Sequence, residues 1–176
     1  RYEATVARAG VPPLHLLERG TGGEARRARE LANWESWTPS RMADRLLSEG
    51  LLRAGEPKLR PPFELIVIDD DQGGAWPASP NHYVERALRG AGVPLGPGGS
   101  RVVLAFAEPR ASKGRAGFGP ASLDALRKAT DAAAIIVFGH PRLAAEVPGS
   151  APLLVAWHRQ RLMQEAAARW VAGRIG

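Results

Sequence analysis

The chain has 176 residues and no cysteine, a length that suits one domain and requires a buried apolar core rather than covalent staples. The missing Cys excludes disulfides, thiol chemistry and Cys-ligated metals, and no apolar run approaches the roughly 20 residues that cross a bilayer. The net charge of +6 is Arg-rich, with Arg outnumbering Lys 21 to 3, but it is spread along the chain without zinc-finger spacing or an aromatic RNA-binding motif, so neither a nucleic-acid nor a membrane partner is expected.

The chain starts at Arg1 rather than Met, as a processed or excised piece would. Residues 1–60 are charged, helix-prone and short of strand signals. The loop Gly20-Thr21-Gly22-Gly23 separates Ala4–Glu18 from the Arg-rich stretch Glu24–Leu31. A helix is expected over Arg41–Leu52, opened by Thr38-Pro39-Ser40, with Met42, Leu46 and Leu47 on one face. Pro57, Pro61 and Pro62 then break the chain, so residues 1–60 read as a helical extension or linker and 61–176 as the folded domain.

From Glu64 the pattern becomes regular. Leu65-Ile66-Val67-Ile68, Val102–Phe106, Ala134–Phe138 and Leu153–Trp157 are short runs, apolar at successive positions, as expected of parallel strands buried on both faces. Between them lie helix signals. Ser79-Pro80 reads as an N-cap with proline at the first helical position, carrying Tyr83, Val84, Ala87 and Leu88 to a C′ glycine at Gly90. Gly119-Pro120 opens a second helix with Leu123 and Leu126, and Pro141 opens a short third. Gln160–Val171 places Leu162, Met163, Ala166, Ala167, Trp170 and Val171 on one stripe. Strand and helix alternating four times predict βαβ units with right-handed crossovers. The fold class is α/β, a three-layer αβα sandwich with a doubly wound, mostly parallel, flavodoxin-like sheet.

In such sheets ligands bind beyond the carboxyl ends of the strands. That edge gathers Asp69, Asp70 and Asp71 after the first run, and Glu108, Arg110, Lys113 and Arg115 after the second. His140 follows the third and His158 the fourth. Each has an ordinary alternative: three Asp before Gly73-Gly74 are well suited to hydrogen-bonding backbone N–H groups in a turn.

No complete constellation stands there. Asp69-x-Asp71 fits the paired-Asp start of a haloacid dehalogenase-type phosphatase, but the usual Thr is missing and no downstream acidic pair is placed to hold Mg²⁺. A receiver domain needs an Asp after the third strand, where this chain has Gly139-His140. Lys113-Gly114-Arg115 is a Gly-rich, anion-friendly loop without the P-loop pattern, and the dinucleotide and nucleophile-elbow motifs are absent. His140 and His158 lack metal-ligand spacing on one element. No metal, cofactor or catalytic residue is assigned. A stand-alone flavodoxin-like module binding an anionic small molecule remains an open alternative.

The run Ile66–Gly74, with Asp69-Asp70-Asp71 at its centre, resembles a segment in the second domain of bacterial family 3 glycoside hydrolases, above all the β-N-acetylhexosaminidase-like members. Three further segments agree in order and spacing. They are Ala105–Arg110 with Lys113-Gly114-Arg115, then Val137–Leu143, then Leu154–Trp157 followed by Gln164–Arg169. The resemblance covers about 64–173 and, more faintly, Met42–Arg60. It implies a two-domain retaining enzyme acting in carbohydrate metabolism. An upstream (β/α)8 barrel of the same protein binds the carbohydrate and supplies an Asp nucleophile. The general acid/base is implied to be a His–Asp pair on a barrel loop, or, in glucosidase-like members, a Glu of the second domain, for which Glu108 is the best-placed acid. The barrel's own motifs do not occur here, so the chain alone is expected to be inactive.

Overall fold

The computed structural model describes residues 39–45, 51–71, 80–108 and 113–176. Pro39–Gly176 forms one compact unit. The expectations for residues 1–38, for Leu46, Leu47 and Ser79, for the Gly73-Gly74 turn and for Arg110 lie outside the described residues.

The element order is α1 (Pro39–Arg45), β1 (Leu52–Ala54), β2 (Phe63–Asp69), α2 (His82–Gly90), β3 (Ser100–Ala107), α3 (Pro120–Lys128), β4 (Ala134–Gly139), a 3-10 helix (Pro141–Glu146), β5 (Leu153–Val155) and α4 (Arg161–Ala172). The strands form one sheet in the order β1-β5-β4-β3-β2. All four apolar runs are adjacent parallel strands, with Val67 beside Leu104, Leu104 beside Ile136 and Val137 beside Val155. β1 is antiparallel to β5, with Leu52 opposite Val155 and Ala54 opposite Leu153.

Alternate residues of each strand feed two cores. Val102, Leu104 and Phe106 of β3 and Ala134, Ile136 and Phe138 of β4 pack with Val84 and Leu88 of α2 and Ala167, Trp170 and Val171 of α4. Val103, Ala105, Ile135, Val137 and Val155 pack on the other face with Phe118, Leu126 of α3 and Leu143 of the 3-10 helix. Both faces of β3 and β4 are therefore dry, which is why their sequences run apolar without alternation. This is a three-layer α/β sandwich.

One expectation about the connections fails. β2, β3 and β4 advance the same way across the sheet, yet α2 lies on one face and α3 on the other. Two parallel crossovers that step in one direction through opposite faces have opposite hands, so they are not both right-handed. Contacts of α2 with α4 hold it on that face. Gln164 of α4 is 2% exposed, and its side-chain oxygen accepts hydrogen bonds from the Tyr83 and Val84 N–H groups at 3.2 Å each. Its amide donates to the carbonyls of Pro80 at 2.8 Å and Arg159 at 2.6 Å.

That contact also corrects the expected start of the helix. α2 begins at His82 rather than at Pro80, and the Asn81 side chain donates to Glu85 at 2.6 Å instead of capping. Gln164 satisfies the first-turn N–H groups from a distance of eighty residues, a partner no local motif could announce. The far end is corrected too. Gly90 is the last helical residue, and the left-handed position belongs to Gly92 at φ +74°. The Gly92 N–H reaches the Arg89 carbonyl and the Val93 N–H the Leu88 carbonyl, both at 3.0 Å, a Schellman closure with Val93 and Leu88 buried together.

Candidate functional site

The turn after β2 lifts Asp69, Asp70 and Asp71 above the carboxyl ends of β2 and β3. The first step is local: the Asp71 N–H donates to the Asp69 carboxylate at 3.0 Å, the turn-forming bond that Asp residues favour. The other two carboxylates turn inward and are almost completely buried, with 2% of the Asp70 side chain and 1% of the Asp71 side chain exposed.

Asp70 faces the start of α3. One oxygen accepts from the Gly119 N–H at 2.8 Å and the Ser122 hydroxyl at 2.7 Å, the other from Lys113 at 3.1 Å and Arg115 at 3.0 Å. A carboxylate at a helix N-terminus meets unpaired N–H groups and the positive end of the peptide dipoles. Burial by itself pushes the Asp70 carboxyl up. The Gly119 N–H, the Ser122 hydroxyl, Lys113 and Arg115 outweigh it and hold the group below its ordinary value of 3.8.

Asp71 faces the other way. Its oxygens take the Lys113 ammonium, the Arg159 guanidinium at 3.2 Å and the Glu108 N–H at 3.1 Å. Arg159 also lies 4.0 Å from Asp69 and 5.7 Å from the centre of the Phe106 ring. Three carboxylates thus meet three cations, and Lys113 bridges two of them. The ionic cluster ties together the β2 turn, the β3–α3 loop and the β5–α4 loop. Charges buried in this way persist only when paired and hydrogen-bonded.

Of the residues singled out in the sequence, Asp69, Asp70, Asp71, Lys113 and Arg115 meet in this cluster. Glu108 borders it, half-buried, its carboxylate accepting from the Arg159 N–H at 3.4 Å. His140 and His158 stand apart, both exposed at the ends of β4 and β5. The His140 ring accepts the Arg142 N–H on Nδ1 at 3.2 Å and so caps the 3-10 helix. Arg159 and Ser122 were missed. Neither belongs to a motif, and each reaches the cluster only through the fold, Ser122 from 52 residues away and Arg159 from 88. Among the described residues no group of three His, Cys, Asp or Glu is placed to hold a metal ion.

A further residue stands out at this edge. Trp157, next after the last β5 contact, has φ +43° and is 39% exposed. A bulky side chain in the left-handed region is a steric outlier that costs about 1–3 kcal/mol, and such positions concentrate at functional sites. The strain was invisible in the sequence, where Trp157 reads as the last residue of an apolar run.

The cluster can orient loops, but among the described residues it offers no unengaged nucleophile or acid–base pair. Its geometry is that of a structural latch.

No protein-family model matches the chain, and no curated protein matches it. Among solved structures the chain is similar to a family 3 glycoside hydrolase, the β-N-acetylglucosaminidase from Paenibacillus sp. str. FPU-7, at 14% identity and a TM-score of 0.49, over 76% of this chain. The chain spans 30% of that enzyme's length. A likeness at this identity and TM-score transfers neither activity nor residue roles, and the chain itself is an α/β domain with a charge-neutralised carboxyl edge.

Proposed function

We propose that this chain is the α/β-sandwich domain of a larger, retaining glycoside hydrolase of the family 3, β-N-acetylhexosaminidase-like type, and that it supports a catalytic (β/α)8 barrel rather than doing chemistry itself. One observation carries the reading. The four sequence segments that resemble the family's second domain fall in order on β2, β3, β4 and β5–α4, and all reach the same carboxyl edge. Their acidic residues are tied to Lys113, Arg115 and Arg159. Such an edge is built to hold loops in fixed positions against a partner, and the double displacement needs an Asp nucleophile from elsewhere. The role of the domain in carbohydrate metabolism follows from that barrel.

The alternative of an independent anion-binding module relies on the loop Lys113-Gly114-Arg115. Both of its cations lie against Asp70, which leaves the loop poorly equipped for an incoming anion. The reading frame upstream of Arg1 tests the proposal. A barrel of about 250 residues with its own Asp nucleophile is expected there; a translation start a few codons before Arg1 would contradict it.

A further inference from the structure

The pair α2 and α4 has two sides. Val84 and Leu88 of α2 and Ala167, Trp170 and Val171 of α4 face the core. Elsewhere on the pair, residues about one helical turn apart form a stripe on each helix: Tyr83, Arg86 and Gly90 on α2, and Arg161, Glu165, Arg169 and Ala172 on α4. Both stripes line one cleft of about 430 Å³, within the range of small-molecule sites. Ala87, Ala91 and Ala168 line it too, with side chains too short to fill it.

The cleft is basic. Among the described residues three guanidinium groups and one carboxylate line it. Arg161 donates its Nε–H to Glu165 at 2.7 Å, and its guanidinium carbon lies 5.9 Å from the centre of the Tyr83 ring. Arg169 donates from Nη1 to Asp44 of α1. Each of these two pairs balances its charge, and each guanidinium keeps further N–H donors uncommitted among the described residues. Arg86 is exposed and makes no hydrogen bond or ion pair with any described residue, so its charge is the uncompensated one in the cleft.

We infer that the α2/α4 cleft binds a small aromatic phosphomonoester, its phosphate taken by Arg86 with the spare donors of Arg161 and Arg169, and its ring by Tyr83 and the alanine side chains. A phosphomonoester carries about −1.5 to −2 charges and three strong acceptor oxygens, a better match to several guanidinium forks than a singly charged carboxylate. A flat ring suits walls made of a phenol ring and methyl groups. The cleft shares no residue with the ionic cluster at the carboxyl edge, and the inference does not rest on the glycoside hydrolase reading.

The test titrates the 176-residue chain by calorimetry with phenyl phosphate, beside inorganic phosphate and benzoate. The expected result is saturable one-site binding of phenyl phosphate, with a dissociation constant of about a millimolar or tighter that weakens as salt is raised. Inorganic phosphate, which lacks the ring, and benzoate, which lacks the second charge, should each bind about fivefold more weakly or worse. Arg86→Glu should weaken phenyl phosphate about tenfold or more at an unchanged melting temperature, since nothing in the fold uses that side chain. Gly90→Leu adds a side chain at the cleft from a position where a Cβ meets no atom within 4 Å, and should weaken binding with the fold intact. No binding of phenyl phosphate to the wild-type chain would overturn the inference, as would wild-type affinity in both variants. Equal affinity for benzoate or for inorganic phosphate would overturn the ligand class. A lowered melting temperature in Arg86→Glu would give Arg86 a part in the fold and overturn its role as the cleft's spare cation.

Discussion

Asp70 joins the start of α3 to the loop before it through four donors on two oxygens, with only 2% of its side chain exposed. Asp70→Ala leaves Lys113 with one carboxylate in place of two and strips the Gly119 N–H of its partner. Removing one member of a buried pair typically costs about 3–5 kcal/mol, so denaturant titration at neutral pH should show a loss of that order. Arg115→Ala should cost far less, since its side chain is 42% exposed and water screens the pair. The pH dependence has a definite sign. The folded Asp70 carboxyl titrates below its ordinary 3.8, so its contribution is fully present above that value and fades as pH falls through the lower, folded one. In Asp70→Ala, stability between about pH 5 and pH 2 should fall less steeply than in the wild type; identical acid curves would show that Asp70 gains nothing from its partners. The acidic run was legible in the sequence as an edge feature, because Asp after an apolar run marks a strand end. Lys113 and Arg115 were legible as residues of the same edge, whereas Ser122 and Arg159 were not, because tertiary structure alone brings them in.

At the scale of elements, α2 separates local from distant causes. Its apolar face, Val84 and Leu88, was readable from spacing, and its two ends were not. Ser79-Pro80 looks like a helix start, yet the first-turn N–H groups are met by Gln164, so the chain enters the helix at His82. Gln164→Ala removes that acceptor and also leaves the Pro80 and Arg159 carbonyls without their donor. Buried polar groups without partners cost about 1–3 kcal/mol each, and the loss should appear as a lowered denaturation midpoint together with faster amide exchange at Tyr83 and Val84. The C-terminal end permits a comparison of two neighbouring glycines, at each of which an added methyl group would meet open space. Gly92→Ala should destabilise by about 1–2 kcal/mol because φ is +74° there. Gly90→Ala, on the helical side, should stabilise by about 0.5–1 kcal/mol. Equal melting temperatures for the two variants would reject the assignment of the Schellman position to Gly92.

At the scale of the molecule, the parallel sheet was legible because both of its faces are buried, and that condition writes itself into the sequence as unbroken apolar runs. β1 was not, since Leu52-Arg53-Ala54 is three residues long and becomes a strand only by pairing with β5. It lies within the stretch that the sequence assigns to the extension, as does Leu59, which is fully buried and bonded through its backbone to Arg174 and Gly176. The core is anchored by Trp170, 1% exposed, and Trp170→Ala should cost about 3–5 kcal/mol, measured by denaturation. The hand of the crossovers was misread because the rule applies to most sheets, and here contacts between α2 and α4 decide the face. The proposed function depends on the same separation of local from distant: this chain carries an edge whose charges neutralise one another, and the proposal gives the chemistry to a partner domain. The direct measurement is turnover of 4-nitrophenyl N-acetyl-β-glucosaminide by the purified 176-residue chain, beside the barrel-bearing protein that the proposal expects. The account predicts buffer-level release from the chain and steady release from the proposed barrel-bearing protein. Release from the chain alone that vanishes in Glu108→Gln would contradict it, making the chain itself the enzyme.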